Sequence, residues 1–398
     1  MPLNLNSPNE LPEPDAQARQ RSHQLVEKIK QSIEDNNGQI SFAAFMQQAL
    51  YTPGLGYYSS GLQKFGQRGD FITAPELSPL FAQCLARQTA EIFRYLETPC
   101  VLEFGAGSGV LAVELLRALQ QLDALPRHYY ILELSAELKH RQKQQIDEAV
   151  PHLAERVVWL EQLPVQPLNA VVIANEVLDA MPVECFAVAK DNCLQRLNVR
   201  VKDDVLEVKF TQASSVMVKV KQTIEQRIEH ALAPGYASEY NPQLSSWLSA
   251  LSQTVAAGVV LLIDYGYSAS EYYHPDRVNG TLMCYYRHRA HSQPLWYPGL
   301  QDITAFVDFT DVAYSAVKAG FSVAGYTSQA AFLLANGLSE LHAEQLSDDT
   351  RQQLVLSQQI KTLTLPSEMG ERFKVMALTK KIDVPLSGFT WQDYRNRL

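Results

Sequence analysis

The sequence lacks any run of apolar residues that approaches a membrane span, which needs about 20 such residues. It also lacks an excess of positive charge, because 34 lysines and arginines face 43 acidic residues and leave a net charge of -9. This balance disfavours general binding to nucleic acid or to anionic membranes. The opening MPLNLNSPNELPEPDAQ has neither an apolar signal core nor the Arg-rich character of a transit peptide. We therefore expect a cytoplasmic protein with no membrane span and no nucleic-acid partner.

Cysteine is scarce and irregularly placed. The five cysteines include no C-x-x-C pair and no spacing typical of zinc ligands. An odd number at irregular spacing is typical of proteins in a reducing compartment. The sequence therefore predicts a reducing environment and no metal site.

What the chain does contain is a glycine-rich turn. Gly105, Gly107 and Gly109 follow the apolar pair Val101-Leu102 and precede VLAVELL, whose apolar residues recur at helical spacing. This pattern predicts a strand, a turn and a helix. Glycine lets the backbone approach a ligand closely, and the helix N-terminus offers free N–H groups. A plain connection would not need three glycines at alternate positions.

The residues around the turn separate two classes of ligand. A dinucleotide-binding turn needs a small residue where this chain has Val110, so a nicotinamide oxidoreductase is disfavoured. Glu103, just before the turn, also has no role in binding a pyrophosphate. G-x-G-x-G behind an acid is instead the pattern of S-adenosylmethionine (SAM) methyltransferases. Glu133 ends a second predicted strand and is suited to hold both ribose hydroxyls, the alternative being an ordinary surface carboxylate.

The order of predicted elements indicates an α/β protein with a class I, Rossmann-like SAM methyltransferase sheet. We predict a flexible arm over residues 1–18, a helical N-terminal cap over 19–98, the core over 99–380 and a C-terminal tail over 381–398. Insertions at 185–257 and 267–309 are predicted to bind substrate. Two late strands, near residues 321–323 and 373–378, are expected to run antiparallel to each other.

Residues that follow strands are the candidates for the site, because ligands in open α/β sheets bind outside the carboxyl ends of the strands. A cluster of Glu176, Asp179 and Asp264 would anchor a cationic nucleophile such as a guanidinium. Alternatively, Asp179 caps the turn or helix that follows it, and Asp264 braces the βα turn after its own strand. We predict catalytic roles for Glu176 and Asp179. We predict cofactor contacts for Glu103, Gly105, Ala106, Gly107, Gly109, Glu133, Asn175, Asp70 and Thr73. We predict substrate contacts for Tyr57, Phe71, Glu76, Asp264 and Tyr265.

Six segments together resemble the MidA family of SAM-dependent methyltransferases. They are FMQQALYTPGLGYYSS, GDFITAPELSPLF, LEFGAGSG, ILELS, ANEVLDAMP and LLIDYG. The resemblance spans about residues 25 to 380 and implies a protein arginine as the acceptor, since the family includes a mitochondrial arginine methyltransferase of complex I assembly. It therefore implies a protein substrate, with a respiratory complex subunit as one candidate. It also implies that residues 175–182 lie near the acceptor.

A SAM-binding assembly chaperone with little or no turnover is the alternative function. An intact Asn175-Glu176-x-x-Asp179 cluster favours the enzyme, because a mere binder has no need of it. The residues leave open the acceptor protein, the number of methyl groups transferred and the oligomeric state, a homodimer being one option. Two long aromatic segments, 57–76 and 267–308, are predicted to enclose the acceptor, the alternative being that their aromatic residues pack satellite lobes together.

Overall fold

The computed structural model describes residues 11–60, 73–346 and 348–398. Asp70 and Phe71, predicted to contact cofactor and substrate, lie outside the described residues. No helix within the described ranges is long and apolar enough to cross a membrane. The N-terminal elements are α1 (Ala16–Asp35), β1 (Ile40–Ser41), α2 (Phe42–Tyr51), α3 (Ala74–Leu77) and α4 (Pro79–Phe93).

Strands and helices then alternate, as a parallel sheet requires. These elements are β2 (Cys100–Phe104), α5 (Val110–Gln121), β3 (Tyr129–Leu132), α6 (Ala136–Ala149), β4 (Val157–Leu160) and β5 (Leu168–Asn175). The alternation breaks after β5. The next elements are β6 (Glu184–Val188), β7 (Leu194–Lys202), β8 (Val205–Gln212), α7 (Ser215–Ile228), β9 (Ala237–Tyr240) and α8 (Leu244–Thr254).

A long strand, β10 (Val255–Tyr267), resumes the main sheet. It is followed by α9 (Ala269–Tyr272), β11 (Met283–Tyr286), β12 (Arg289–His291), β13 (Asp302–Thr304), β14 (Val307–Asp308) and α10 (Phe309–Lys318). The last elements are β15 (Ser322–Ser328), α11 (Gln329–Ala335), α12 (Leu338–Glu344), α13 (Thr350–Thr364), α14 (Met369–Arg372) and β16 (Phe373–Lys380). Short 3-10 turns lie at Pro151–Arg156, Ser387–Phe389 and Arg395–Arg397.

The main sheet has the strand order β15-β16-β10-β5-β2-β3-β4, and β14 adds a short pairing to β10. The strands from β10 to β4 are parallel, whereas β16 is antiparallel to both β10 and β15. Residues on both faces of β5 are buried, which is why this strand is a continuous apolar run. This topology confirms the predicted fold class and the antiparallel pair of late strands.

Helices cover both faces of the main sheet. Side chains of α4, α5 and α11 form a hydrophobic cluster on one face. Side chains of α8 and α10 pack on the other face. α8 lies within the predicted insertion 185–257, so the end of that segment belongs to the layers of the core. The predicted domain boundaries as such stay a prediction.

A second lobe lies beside the sheet. It consists of α1, α2, the sheet β1-β7-β6-β9 with β8, and the small sheet β12-β11-β13. Leu25 and Phe45 of the helices share one hydrophobic cluster with Val199 of β7 and with Cys284 and Ile303 of the small sheet. The two halves of the predicted N-terminal cap therefore pack on different parts of the molecule, because α4 joins the main sheet while α1 and α2 join the second lobe.

Candidate active site

A cavity of about 640 Å³ lies at the carboxyl ends of β2, β3, β5 and β10. The second lobe contributes one wall, and the segment that carries α13 and α14 contributes another. This volume is within the range of about 300–1,000 Å³ that is usual for small-molecule sites. The predicted site residues that line it are Thr73, Glu76, Glu103, Gly105, Ala106, Gly107, Glu133, Asn175, Glu176, Asp179 and Tyr265. The described predicted residues outside this lining are Gly109, Tyr57 and Asp264.

The glycine turn joins β2 to α5 at the edge of the cavity. Gly105 and Gly107 line the cavity with φ angles of 59° and 53°, a left-handed conformation that favours glycine. Gly109, with φ of 88°, is the N-cap of α5 instead. A Cβ atom at Gly109 would lie 3.3 Å from Cα of Gln142 on α6. Gly109 therefore permits close packing of α5 against α6. It does not line the cavity, so its predicted contact with the cofactor is corrected.

Glu133 lies just beyond the end of β3 and is held in place by neighbouring donors. The backbone N–H of Ser135 donates to its Oε1 over 2.8 Å, and Nε2 of Gln142 donates to its Oε2 over 2.9 Å. The Gln142 amide is oriented by the indole N–H of Trp159, which donates to its Oε1 over 3.0 Å. Glu133 is therefore a buried, oriented carboxylate, which argues against the ordinary surface carboxylate of the alternative interpretation.

Glu103 is the second acid of the cofactor side. Only 3% of it is exposed, and the hydroxyl of Tyr129 donates to its Oε2 over 2.7 Å. Burial raises the pKa of Glu103 to about 7, the hydrogen bond from Tyr129 lowers it in part, and repulsion from Glu133 adds to the rise. Glu103 and Glu133 thus lie within electrostatic reach of each other on adjacent strands.

The segment after β5 carries the predicted catalytic acids in a strained turn. Glu176 has φ of 52°, an unfavourable value for a residue with a side chain. Its backbone N–H donates to the carbonyl of Ile263 over 2.9 Å. Strain of this kind persists only where the surroundings fix the backbone, and this turn is fixed from β10.

Asp264 on β10 supplies that support. It is 0% exposed, and its Oδ2 accepts from the N–H groups of Val177, Leu178 and Asp179 at 3.0–3.2 Å. Its Oδ1 accepts from the N–H of Tyr265 over 2.9 Å. Both carboxylate oxygens of Asp264 thus accept hydrogen bonds from backbone N–H groups, and the side chain stabilises the turn after β5. The predicted contact of Asp264 with substrate is therefore corrected.

The carboxyl groups of Glu176 and Asp179 both have raised pKa values. Burial, and then repulsion from Asp179, raises the pKa of Glu176 to about 8. Burial raises the pKa of Asp179 to about 6, although the Tyr265 hydroxyl donates to its Oδ2 and opposes the rise. Within the described part of the chain, Oδ1 of Asp179 and Oδ1 of Asn175 are buried without a hydrogen-bond partner. Unpaired buried acceptors beside a cavity favour a ligand rich in N–H donors.

The loop before the core contributes in a different way from the prediction. Thr73 is the N-cap residue of α3 and lines the cavity, and its contact with the cofactor stays a prediction. Glu76 also lines the cavity and accepts a hydrogen bond from the Ser108 hydroxyl, which places it beside the glycine turn, and its contact with substrate stays a prediction. Tyr57 is 0% exposed within the hydrophobic cluster of the second lobe, so its predicted substrate contact is wrong. Its neighbour Tyr58 lines the cavity instead.

Sequence reasoning missed several lining residues. Asp302, Thr304 and Phe306 line the cavity, while the residues between them, Ile303 and Ala305, are buried in the lobe. This alternation is the period of an extended strand and was available in the sequence as DITAF. Other lining residues that were not predicted include Tyr51, Gln243, Trp247, Glu368 and Arg372. Tyr285, which belongs to the aromatic segment predicted to enclose the acceptor, also lines the cavity.

The cavity is strongly acidic. The carboxylates that line it are Glu76, Glu103, Glu133, Glu176, Asp179, Asp302 and Glu368. Among the described lining residues, Arg372 is the only lysine or arginine. Clefts lined by one sign of charge attract ligands of the opposite charge. The cavity therefore suits positively charged ligands.

This fold and this site define a class I SAM-dependent methyltransferase. A family model described as S-adenosyl-L-methionine-dependent methyltransferase matches residues 84–327, and the chain belongs to that family. The MidA resemblance is confirmed, and SAM is the cofactor. A crystal structure of a protein from Burkholderia thailandensis bound to S-adenosyl-homocysteine is similar, with 40% identity and a TM-score of 0.93. It covers 98% of this chain and 100% of that one.

Curated relatives are more distant. The protein arginine methyltransferase NDUFAF7 homolog, mitochondrial, of Drosophila melanogaster is 26% identical over 409 residues, covering 94% of this chain and 89% of the relative. The human protein arginine methyltransferase NDUFAF7, mitochondrial, is 26% identical over 394 residues, covering 89% of this chain and 82% of the relative.

The residues present fit the cofactor. The glycine turn presents backbone to the cavity at Gly105 and Gly107, where SAM's amino-acid part is expected. Glu133 offers an oriented carboxylate, which is the group that a pair of ribose hydroxyls needs. The acidic lining suits a ligand that carries positive charge on its sulfonium and its amino group.

Proposed function

We propose that this methyltransferase acts on an Nω atom of arginine in a protein acceptor. The observation that carries the proposal is the pair Glu176 and Asp179, two carboxylates held at the cavity on a rigid turn beside the glycine turn. The names of the curated relatives support arginine as the acceptor, at about a quarter identity. The acidic lining supports a cationic acceptor.

Arginine poses a specific chemical problem, because its guanidinium has a pKa of about 13.8 and stays protonated at any working pH. All its nitrogen lone pairs are delocalised. A carboxylate that binds one terminal nitrogen localises the positive charge there and leaves the other nitrogen more nucleophilic. The position of Glu176 in the cavity lining at the end of β5 supports this role. SAM, when bound, supplies the activated methyl group.

The raised pKa of Glu176 also fits the handling of the proton. Transfer of a methyl group to a guanidinium releases one N–H proton, and a carboxyl with a pKa near the working pH accepts a proton effectively. A bound guanidinium stabilises the ionised carboxylate and so lowers this pKa before the reaction. Asp179, held by the Tyr265 hydroxyl, adds a second negative charge to the same site.

The strained backbone at Glu176 favours turnover over the chaperone alternative. A residue with a side chain at φ of 52° costs free energy, on the order of 1–3 kcal/mol, and such strain is typical of active sites. A protein that only binds SAM and a partner has no need to hold a carboxylate in this way. A respiratory complex subunit as the acceptor, cytoplasmic location and a homodimer remain proposals.

The proposal is tested with radiolabelled SAM. The purified protein is incubated with the cofactor and a lysate of its host from which the native enzyme has been deleted. Labelled proteins are then isolated and hydrolysed, and their amino acids are separated. We expect the label in methylarginines, and we expect Glu176→Gln to lose it. Label in methyllysine or in methyl esters would refute arginine as the acceptor, and absence of label from every protein would support the chaperone.

A further inference from the structure

Asp302 is the carboxylate of the cavity that comes from the second lobe. It lies on β13, where 2% of it is exposed, and it lines the cavity together with Thr304. Ile303, between them, points into the hydrophobic cluster of the lobe. The register of the strand therefore directs Asp302 toward the same space as the acids at the end of β5.

The Asp302 side chain is held by the second lobe. The hydroxyl of Tyr58 lies 3.0 Å from both carboxylate oxygens, and the backbone N–H of Ile303 donates to Oδ1 over 2.9 Å. The Tyr58 ring is stacked on Tyr51, with 5.6 Å between ring centroids and 23° between ring planes. A buried carboxylate with a fixed orientation is a costly group to maintain, and its cost is consistent with a role in binding.

Two hydrogen bonds fix this wall relative to the catalytic turn. The Tyr51 hydroxyl donates to the carbonyl of Ala180 over 2.9 Å. The N–H of Ala305 donates to the carbonyl of Asp179 over 3.0 Å. Asp302 also lies close enough for its charge to raise the pKa of Glu176. The charge of Asp302 on the second-lobe wall therefore acts directly on Glu176 on the opposite wall.

We infer that Asp302 binds the acceptor guanidinium from the second-lobe wall, while Glu176 binds it from the main sheet. This inference rests on the proposed arginine acceptor and names the residue that selects it. A guanidinium presents five N–H donors in a planar fork, more than one carboxylate can accept. Two carboxylates on different walls offer acceptors to different edges of that fork, and the positive charge of a bound guanidinium would reduce the repulsion between them.

The test measures binding of a minimal acceptor. The full-length protein is saturated with S-adenosyl-homocysteine and titrated with N-acetyl-arginine methylamide or with its uncharged analogue, N-acetyl-citrulline methylamide. We expect the wild type to prefer the arginine compound. Asp302→Asn should weaken its binding by at least about tenfold, as expected for loss of a charged hydrogen bond, and should leave citrulline binding unchanged. Asp276→Asn, a change to an exposed carboxylate of the same insertion, is the matched control and should bind as the wild type does.

The outcomes separate the two proposals. A wild type that does not distinguish arginine from citrulline overturns the arginine acceptor and this inference with it. A wild type that distinguishes them, beside an Asp302→Asn variant that does so equally well, overturns only the role of Asp302. If Asp302→Asn fails to fold, Tyr58→Phe keeps the carboxylate and removes the hydroxyl that orients it. That variant should weaken arginine binding with unchanged affinity for S-adenosyl-homocysteine, and unchanged arginine binding would overturn the inference.

A pH profile gives a second readout that a merely structural role would not change. Removing the negative charge of Asp302 removes one cause of the raised pKa of Glu176. The pKa that governs kcat/KM should therefore fall in Asp302→Asn and stay unchanged in Asp276→Asn. An unchanged profile in Asp302→Asn would show that its charge does not reach the reacting group.

Discussion

Gln142 donates a hydrogen bond from its Nε2 to Oε2 of Glu133 over 2.9 Å. The same nitrogen lies 3.0 Å from the carbonyl oxygen of Gly107. One fully buried amide on α6 therefore connects the acid at the end of β3 to the glycine turn after β2. The two halves of the cofactor site are thus held at a fixed separation by a residue that contacts both.

The first prediction concerns this connection. Glu133→Ala removes a carboxylate that two ribose hydroxyls would contact. We expect the affinity for SAM to fall by about ten- to a hundredfold. Gln142→Ala leaves the carboxylate in place and removes the group that orients it, so we expect a smaller loss, about three- to tenfold. Isothermal titration calorimetry measures both. An unchanged dissociation constant in Glu133→Ala would return Glu133 to a structural role.

The second prediction concerns the glycine turn. Gly107→Val places a branched side chain on a residue that lines the cavity and has φ of 53°. We expect no detectable SAM binding by calorimetry and a lower unfolding temperature, because a β-branched residue is strained at this φ. Gly38→Val is the matched control, since Gly38 has φ of 83° and open space around it. It should share the loss of stability and keep normal affinity for SAM. Equal affinity in both variants would exclude the turn from the cofactor site.

The third prediction concerns the role of Glu176. Glu176→Gln keeps the shape of the side chain and removes its charge, so the affinity for SAM should stay within about twofold while methylation falls at least ~100-fold. Single-turnover measurements with a saturating acceptor separate the chemical step from binding. Lys190→Gln, at a site outside the cavity lining, controls for a general effect of changing a charged residue to glutamine. Retained turnover in Glu176→Gln would exclude this carboxylate from the reaction.

The fourth prediction concerns pH. The pKa of Glu176 is raised from 4.5 to about 8, so the folded state without ligands holds a proton that the unfolded state releases. Between about pH 4.5 and pH 8 the folded state therefore binds more protons, and its stability should decrease as the pH rises through this window. Urea unfolding at about pH 5.5 and about pH 8 measures the difference in the free energy of unfolding, which should shrink in Glu176→Gln.

The same pKa predicts that kcat/KM rises with pH up to about 8, since the ionised carboxylate is the active form. A stability that rises across this window, or a flat rate profile, would contradict the assignment.

The parts of the fold that the sequence predicts well are those with a strong local pattern. β5 and β10 are apolar runs because both of their faces are buried, and the glycine turn marks the point where the first strand of the sheet ends. The strand pattern also predicts that Glu133 and Glu176 lie at the site, because each comes immediately after a strand and both strands end at the same edge of the main sheet. The cofactor site could be located from the sequence because its residues are identified by their immediate neighbours along the chain.

The parts that sequence reasoning missed depend on distant contacts. The sequence does not distinguish Tyr57, which is buried in the second lobe, from Tyr58, which lines the cavity, because the loop has no periodicity. Asp264 ends a strand just as a ligand-binding acid would, and only the three-dimensional structure shows that its oxygens are engaged with backbone N–H groups. α13 buries Leu356 and Leu363 and exposes most of its other residues, so its apolar signal is weak.

The position of β16 has a consequence for synthesis of the protein. This strand lies between β10 and β15 and pairs with both, yet it is the last strand along the chain. On the ribosome, the facing edges of β10 and β15 therefore remain unpaired until Lys380 has emerged, and unpaired edges are sites where other chains add. A stop codon just before Phe373 would preserve the glycine turn, both cofactor-side acids and Glu176, and would still leave the nascent chain with a gap in the middle of its sheet.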